Sequence, residues 1–131
     1  MASQNVIGID LGTTNTCAAV YRDGHSQIIY NEQGNHITPS CVAFSRTGRV
    51  VGEGADFRDI GNIANIVTDI KRMMGHNFND PHLQRIRLHW PFRVTNVNNK
   101  PSVEVSLYGR KVRFAPEELS AMILSKVKQN A

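Results

Sequence analysis

The segment best equipped for chemistry is Asp10-Leu11-Gly12-Thr13-Thr14, which directly follows the β-branched run Val6-Ile7-Gly8-Ile9. Gly12 permits a tight turn in which backbone N–H groups approach an anion with no side chain in the way. Thr13 and Thr14 add hydroxyl donors. Asp10, at the strand end, is a hard oxygen ligand suited to a magnesium ion that keeps several of its waters. One such turn can hold a phosphate and set a carboxylate near its metal. The same residues also suit an ordinary hairpin turn, where Asp and Gly are common. This is not one of the familiar phosphate loops: no G-x-x-x-x-G-K-[ST] occurs, and no G-x-G-x-x-G opens a helix.

Lys71, within Asp69-Ile70-Lys71-Arg72, is a second candidate, because a flexible ammonium can reach a phosphate site or orient an attacking water. Its spacing alone favours a solvated lysine on a helix face. His25, His36, His76, His82 and His89 show no ligand spacing. No serine or cysteine is paired with a base, so covalent catalysis has no support. Trp90 reads as a packing anchor beside Pro91, and Cys17 as a half-buried strand thiol.

The elements that must position these groups follow from pattern. Val6 to Asp10, Cys17 to Tyr21 and Gln27 to Tyr30 read as an antiparallel meander, with Asp23-Gly24 as one of its turns. Asn31 to Ser40 reads as a polar loop, and Cys41 to Phe44 with Arg49 to Val51 as a strand pair. From Gly52 to Gly75 the apolar spacing of Ile66, Val67, Ile70, Met73 and Met74 predicts helix, with Gly75 as its C-cap. Phe92 to Val97, Val103 to Leu107 and Arg110 to Phe114 are three more strands. Pro116-Glu117-Glu118 opens a helix with the apolar stripe Leu119, Met122, Ile123 and Val127. That helix meets the chain end with no Gly or Pro stop, as a chain cut short there would.

Composition bounds the rest. The 131 residues are 40% hydrophobic and 20% charged, enough for one domain or a core with a small inserted lobe. The net charge of +4 suits phosphate-bearing partners in general. The basic residues are nevertheless dispersed, which argues against a nucleic-acid arm. Met1 to Asn5 has no signal-peptide pattern, and no segment has the apolar length to span a bilayer. Two distant cysteines, Cys17 and Cys41, then suggest free thiols in a reducing compartment.

The blocks Ile7-Gly8-Ile9-Asp10-Leu11-Gly12-Thr13-Thr14-Asn15, Asn31-Glu32-Gln33-Gly34-Asn35, Thr38-Pro39-Ser40, Asp69-Ile70-Lys71-Arg72-Met73-Met74-Gly75, His89-Trp90-Pro91-Phe92 and Pro116-Glu117-Glu118-Leu119 run colinearly along the chain. Together they closely resemble the start of the seventy-kilodalton heat-shock (DnaK-type) chaperone family. The resemblance implies an α/β (α+β) fold, the actin-like, ribonuclease H-like ATPase, of which this chain supplies an incomplete first lobe. Residues 1–38 and 112–131 would form its partial core and 39–111 a small inserted subdomain.

By the same resemblance Gly12, Thr13, Thr14 and Asn15 bind ATP or ADP, Asp10 organises Mg2+ and its waters, and Lys71 is a catalytic lysine. Asn15 stands where members carry Tyr or Asn, and Cys17 matches a cysteine of cytosolic members, which implies a cytoplasmic setting. Ile70 and Phe57-Arg58 depart from the family's common residues. The family's second phosphate motif, D-x-G-G-G-T, does not occur, so this chain alone is not expected to be a competent ATPase. Partners implied for the full length are nucleotide, unfolded polypeptide clients, J-domain cochaperones and nucleotide-exchange factors, with no membrane. The alternative function is a non-catalytic relative acting as a protein-binding module.

Overall fold

A computed structural model of the chain describes residues 6–131, so the reading of Met1 to Asn5 lies outside it. Among the described residues, ten strands and two α-helices make a sheet-dominated α+β fold. The first sheet begins as the expected meander, with β1 (Ile7–Leu11), β2 (Asn15–Arg22) and β3 (His25–Ile28) antiparallel in that order. Asp23 and Gly24 link β2 to β3 with both φ angles positive, +52° and +83°. That geometry matches the right-handed twist of a two-residue hairpin. A short β4 (Ile37–Pro39) also pairs with β2, so the predicted loop over residues 31–40 ends as a strand.

A second sheet holds β5 (Val42–Ser45) between β6 (Gly48–Val51) and β7 (Ile66–Val67). A third is the meander β8 (Arg93–Val97), β9 (Lys100–Leu107) and β10 (Arg110–Phe114). Its two turns, Asn98-Asn99 and Tyr108-Gly109, again have positive φ throughout.

The helix predicted over 52–75 is not there. Short 3-10 turns at Gly52–Gly54, Ile60–Asn65 and Ile70–Arg72 alternate with β7 instead. Asn side chains in this stretch bond to distant backbone: Asn62 Nδ2 donates to Phe44 O at 2.9 Å, and Asn65 Oδ1 accepts from Ser106 N at 2.8 Å. Ile66 and Val67 meanwhile pair with Ala43 and Val42 in the core. These tertiary bonds outcompete a helix whose Gly and Asn residues are poor helix formers. Gly75 still closes the last turn with φ +79°.

Sequence periodicity also missed α1 (Pro81–Ile86). Its signal is local: Asp80 accepts from the N–H groups of His82 and Leu83, and Pro81 sits at the first helical position. The Leu83 and His82 donors hold the Asp80 carboxyl below its usual range. α2 (Pro116–Gln129) forms as predicted, with Glu118 accepting from Ala115 N at 3.0 Å and Leu119, Ile123 and Val127 buried. Among the described residues no helix is long and apolar enough to cross a membrane.

The core gathers Val42, Phe44, Val67, Ile70, Met73, Leu83, Val103, Leu119 and Ile123 between the three sheets and α2. Phe44 is fully buried, and its ring stacks on Phe114 at 5.0 Å, which ties the second sheet to the third. Phe44→Ala is expected to cost about 3–5 kcal/mol, read as a lower urea midpoint; a loss below about 1 kcal/mol would contradict this role for Phe44.

Candidate functional site

The turn between β1 and β2 is built by its backbone. Gly12 N donates to Asn15 O at 3.1 Å, closing the turn around Thr13 and Thr14. A Cβ on Gly12 would lie 2.3 Å from that same oxygen, so the turn excludes any larger residue here. The glycine is demanded by the chain's own close approach.

A second segment clamps this turn. Ser40 N donates to Thr14 O at 2.8 Å, and Asn15 and Thr16 pair with Pro39 and Thr38. Beneath the turn the Thr16 and Ser40 hydroxyls are buried and hydrogen-bond to each other at 2.8 Å. Asn31 orders the approach to that clamp. Its Oδ1 accepts from Gln33 N and Asn35 N, while its Nδ2 donates to Ile37 O and to Glu53. Asn35 Nδ2 also donates to the Glu53 carboxylate at 2.8 Å, and Lys126 on α2 pairs with Glu32 at 2.6 Å. The blocks Asn31–Asn35 and Thr38–Ser40 are thus the scaffold of the Thr13-Thr14 turn. Spacing could not reveal this, because each bond joins residues whose separation in sequence follows no period.

What the turn presents is a set of unengaged donors. Among the described residues no hydrogen bond occupies the N–H or hydroxyl of Thr13 or Thr14, and none occupies the Asp10 carboxylate. Asp10, Thr14 and Asn15 are exposed and Thr13 is half-buried. Two backbone N–H groups and two hydroxyls on one bend suit an anion. Among the described residues no group of three or more His, Cys, Asp or Glu could cage a metal. A single exposed carboxylate fits a hydrated magnesium held through water and phosphate.

Asp10, Gly12, Thr13, Thr14 and Asn15 therefore share one hairpin, while Lys71 stands apart from it. Lys71 is exposed on the 3-10 turn Ile70–Arg72, between buried Ile70 and Met73. Among the described residues nothing bonds it to the hairpin. The two segments share a support, since α2 packs against both β1 and the Ile70–Arg72 turn. Of the thiols, Cys17 is half-buried opposite Asp10, whereas Cys41 is buried, which pushes its pKa up. Trp90 does pack as an anchor, stacked on Phe92 at 5.1 Å, but it also donates to Asp69, which sequence reasoning did not foresee.

The fold and the hairpin define a sheet-rich α+β unit whose first turn is equipped to hold an anion. The family described as Hsp70 protein matches residues 6–131, and the chain belongs to that family. It is 47% identical over 125 residues to a heat shock 70 kDa protein of Neurospora crassa, covering 95% of this chain and 19% of that protein. A heat shock 70 kDa protein of Ajellomyces capsulatus is 44% identical, covering 95% and 18%. A heat shock 70 kDa protein of Emericella nidulans is 45% identical, covering 95% and 19%. The chain spans about a fifth of the length of these curated relatives. The resemblance read from the colinear blocks is borne out as family membership.

If the Thr16–Ser40 pair holds the turn, Ser40→Ala strands a buried hydroxyl and costs about 1–3 kcal/mol. Adding Thr16→Val should recover part of that loss, giving a non-additive double-mutant cycle in urea denaturation. Strictly additive losses would show that the two hydroxyls do not act together.

Proposed function

We propose that the chain is the N-terminal part of an Hsp70-type chaperone's ATPase domain, in which the turn from Gly12 to Asn15 contacts the phosphates of ATP or ADP. The observation that carries this reading is the set of unengaged N–H and hydroxyl donors on half-buried Thr13 and exposed Thr14, on a turn clamped by Ser40. In this reading residues 1–38 and 112–131 belong to the core of an actin-like first lobe, and 39–111 to a subdomain inserted in it. When bound, Mg2+ would neutralise phosphate charge and polarise the bond to be broken. Asp10 would hold that ion through its waters, and Lys71 would bring an ammonium to the phosphate end of the cleft. The setting is cytoplasmic. Clients, J-domain cochaperones and exchange factors would act on the longer protein.

Hydrolysis requires groups converging on the phosphates from several directions. One clamped turn contributes a wall of such a site, so this chain alone should bind nucleotide feebly. Titrating the labelled chain with magnesium-ATP should move amide resonances at Gly12 to Asn15, with a dissociation constant of about 1 mM or weaker. Thr13→Ala should diminish those shifts. Shifts confined to other segments would overturn the assignment of the turn, and tight binding with turnover would overturn the claim that one wall is insufficient. In the longer protein, Lys71→Ala should abolish hydrolysis and leave nucleotide binding within about threefold; wild-type turnover would remove Lys71 from the chemistry.

A further inference from the structure

Lys71 is displayed by an unusual piece of backbone. The residue two positions before it, Asp69, adopts a left-handed conformation with φ +53° and ψ +29°. Non-glycine residues disfavour this region because Cβ crowds the backbone, although Asp and Asn tolerate it better than others. Strain of this kind persists only where surrounding bonds hold it.

Those bonds are visible. Trp90 Nε1 donates to Asp69 Oδ2 at 2.9 Å, and the Arg72 guanidinium stands 3.8 Å from Asp69 Oδ1. The Asp69 carbonyl accepts from Arg72 N at 3.0 Å, and Ile70 O accepts from Met73 N at 3.0 Å. Ile70 and Met73 are pegged in the core, at 2% and 0% exposure, while Lys71 between them points away from it. Trp90 is held from behind by its stack on Phe92 and by Trp90 N donating to Arg87 O at 3.3 Å. The hydrogen bond at Asp69 thus joins two segments 21 residues apart, the Lys71 turn and the connection entering β8.

We propose that Asp69 is the positioning residue for Lys71. Its left-handed conformation bends the chain from β7 into the Ile70–Arg72 turn, and the Trp90 indole locks that bend, so that Lys71 leaves the core in one direction. Without the lock, the pegs Ile70 and Met73 still bury, but the turn between them samples other directions. The assignment of an ammonium role to Lys71 rests on the reading above; the lock itself does not.

The chain has one tryptophan, so its indole proton gives a single resonance that reports the lock directly. Asp69→Gly permits the left-handed backbone without supplying an acceptor. Trp90→Phe keeps the aromatic stack and removes the donor. Each should speed hydrogen exchange at the Arg72 and Met73 amides by about tenfold or more, and lower the backbone order at Lys71. The β9 amides of Val103 and Val105 should stay within about threefold. Asp69→Asn retains both an acceptor and the tolerance for positive φ, so it should restore near-wild-type exchange and an indole proton protected as before.

Unchanged exchange at Arg72 and Met73 in both the Gly and Phe variants would overturn the proposal. So would an equal rise at Val103 and Val105, which would make Asp69 a general stability residue, and so would failure of Asn to rescue. None of these readouts involves nucleotide. A chain that binds no phosphate at Thr13 and Thr14 therefore leaves this test intact, and failure of the lock leaves the nucleotide titration readable.

Discussion

The arrangement of the site depends on one buried contact, the hydrogen bond between the Thr16 and Ser40 hydroxyls. A turn that offers its N–H groups to solvent cannot stabilise itself through them, because every donor it keeps open is a bond it does not make. The compensating bonds come from below and beside it. Thr16 and Ser40 satisfy each other in the core, and Ser40 N–H takes the Thr14 carbonyl. The turn is thereby held by the Gly12 N–H bond to Asn15 O and by the Thr14 carbonyl on Ser40 N, while the Thr13 and Thr14 donors stay open, which is the preorganisation an anion site requires.

The same division of labour recurs at Lys71. The residues that hold the turn are apolar or acidic: Ile70 and Met73 in the core, Asp69 bonded to Trp90. The cation itself is exposed and makes no ion pair among the described residues. α2 lies under both features, its buried stripe of Leu119, Ile123 and Val127 giving β1 and the Ile70–Arg72 turn a common foundation. Two segments far apart in the chain are thus referenced to one rigid element, although nothing bonds them to each other among the described residues.

Local chemistry made much of this legible. Asp23-Gly24 and Tyr108-Gly109 announce hairpins because few residues accept positive φ. Pro116 with Glu117 and Glu118 announces α2, because a helix start tolerates a missing N–H and favours negative charge. The stretch 52–75 misled for a definable reason: the spacing of Ile66, Val67, Ile70 and Met73 satisfies a helical template. Val67, Ile70 and Met73 instead reach one core from a strand and a 3-10 turn, with Ile66 buried on the strand's other face, and periodicity cannot distinguish the two routes. The bonding roles of Ser40, Asn31 and Glu53 escaped notice because a buried polar pair or a carboxamide hub has no repeat to detect.

The sequence by itself therefore determined the groups available for chemistry: an Asp, a Gly and two Thr at the end of a strand, and colinear blocks that marked the family. It also determined the hairpins and the last helix, since turn and cap preferences act over a few residues. Only the tertiary structure decided that Ser40 clamps the Thr13-Thr14 turn, that Ile66 and Val67 are a strand, and that Asp69 is locked by Trp90. Each of these is a hydrogen bond or a packing contact between distant segments. Its energy arises from removing both partners from water together, a quantity absent from either partner's local sequence.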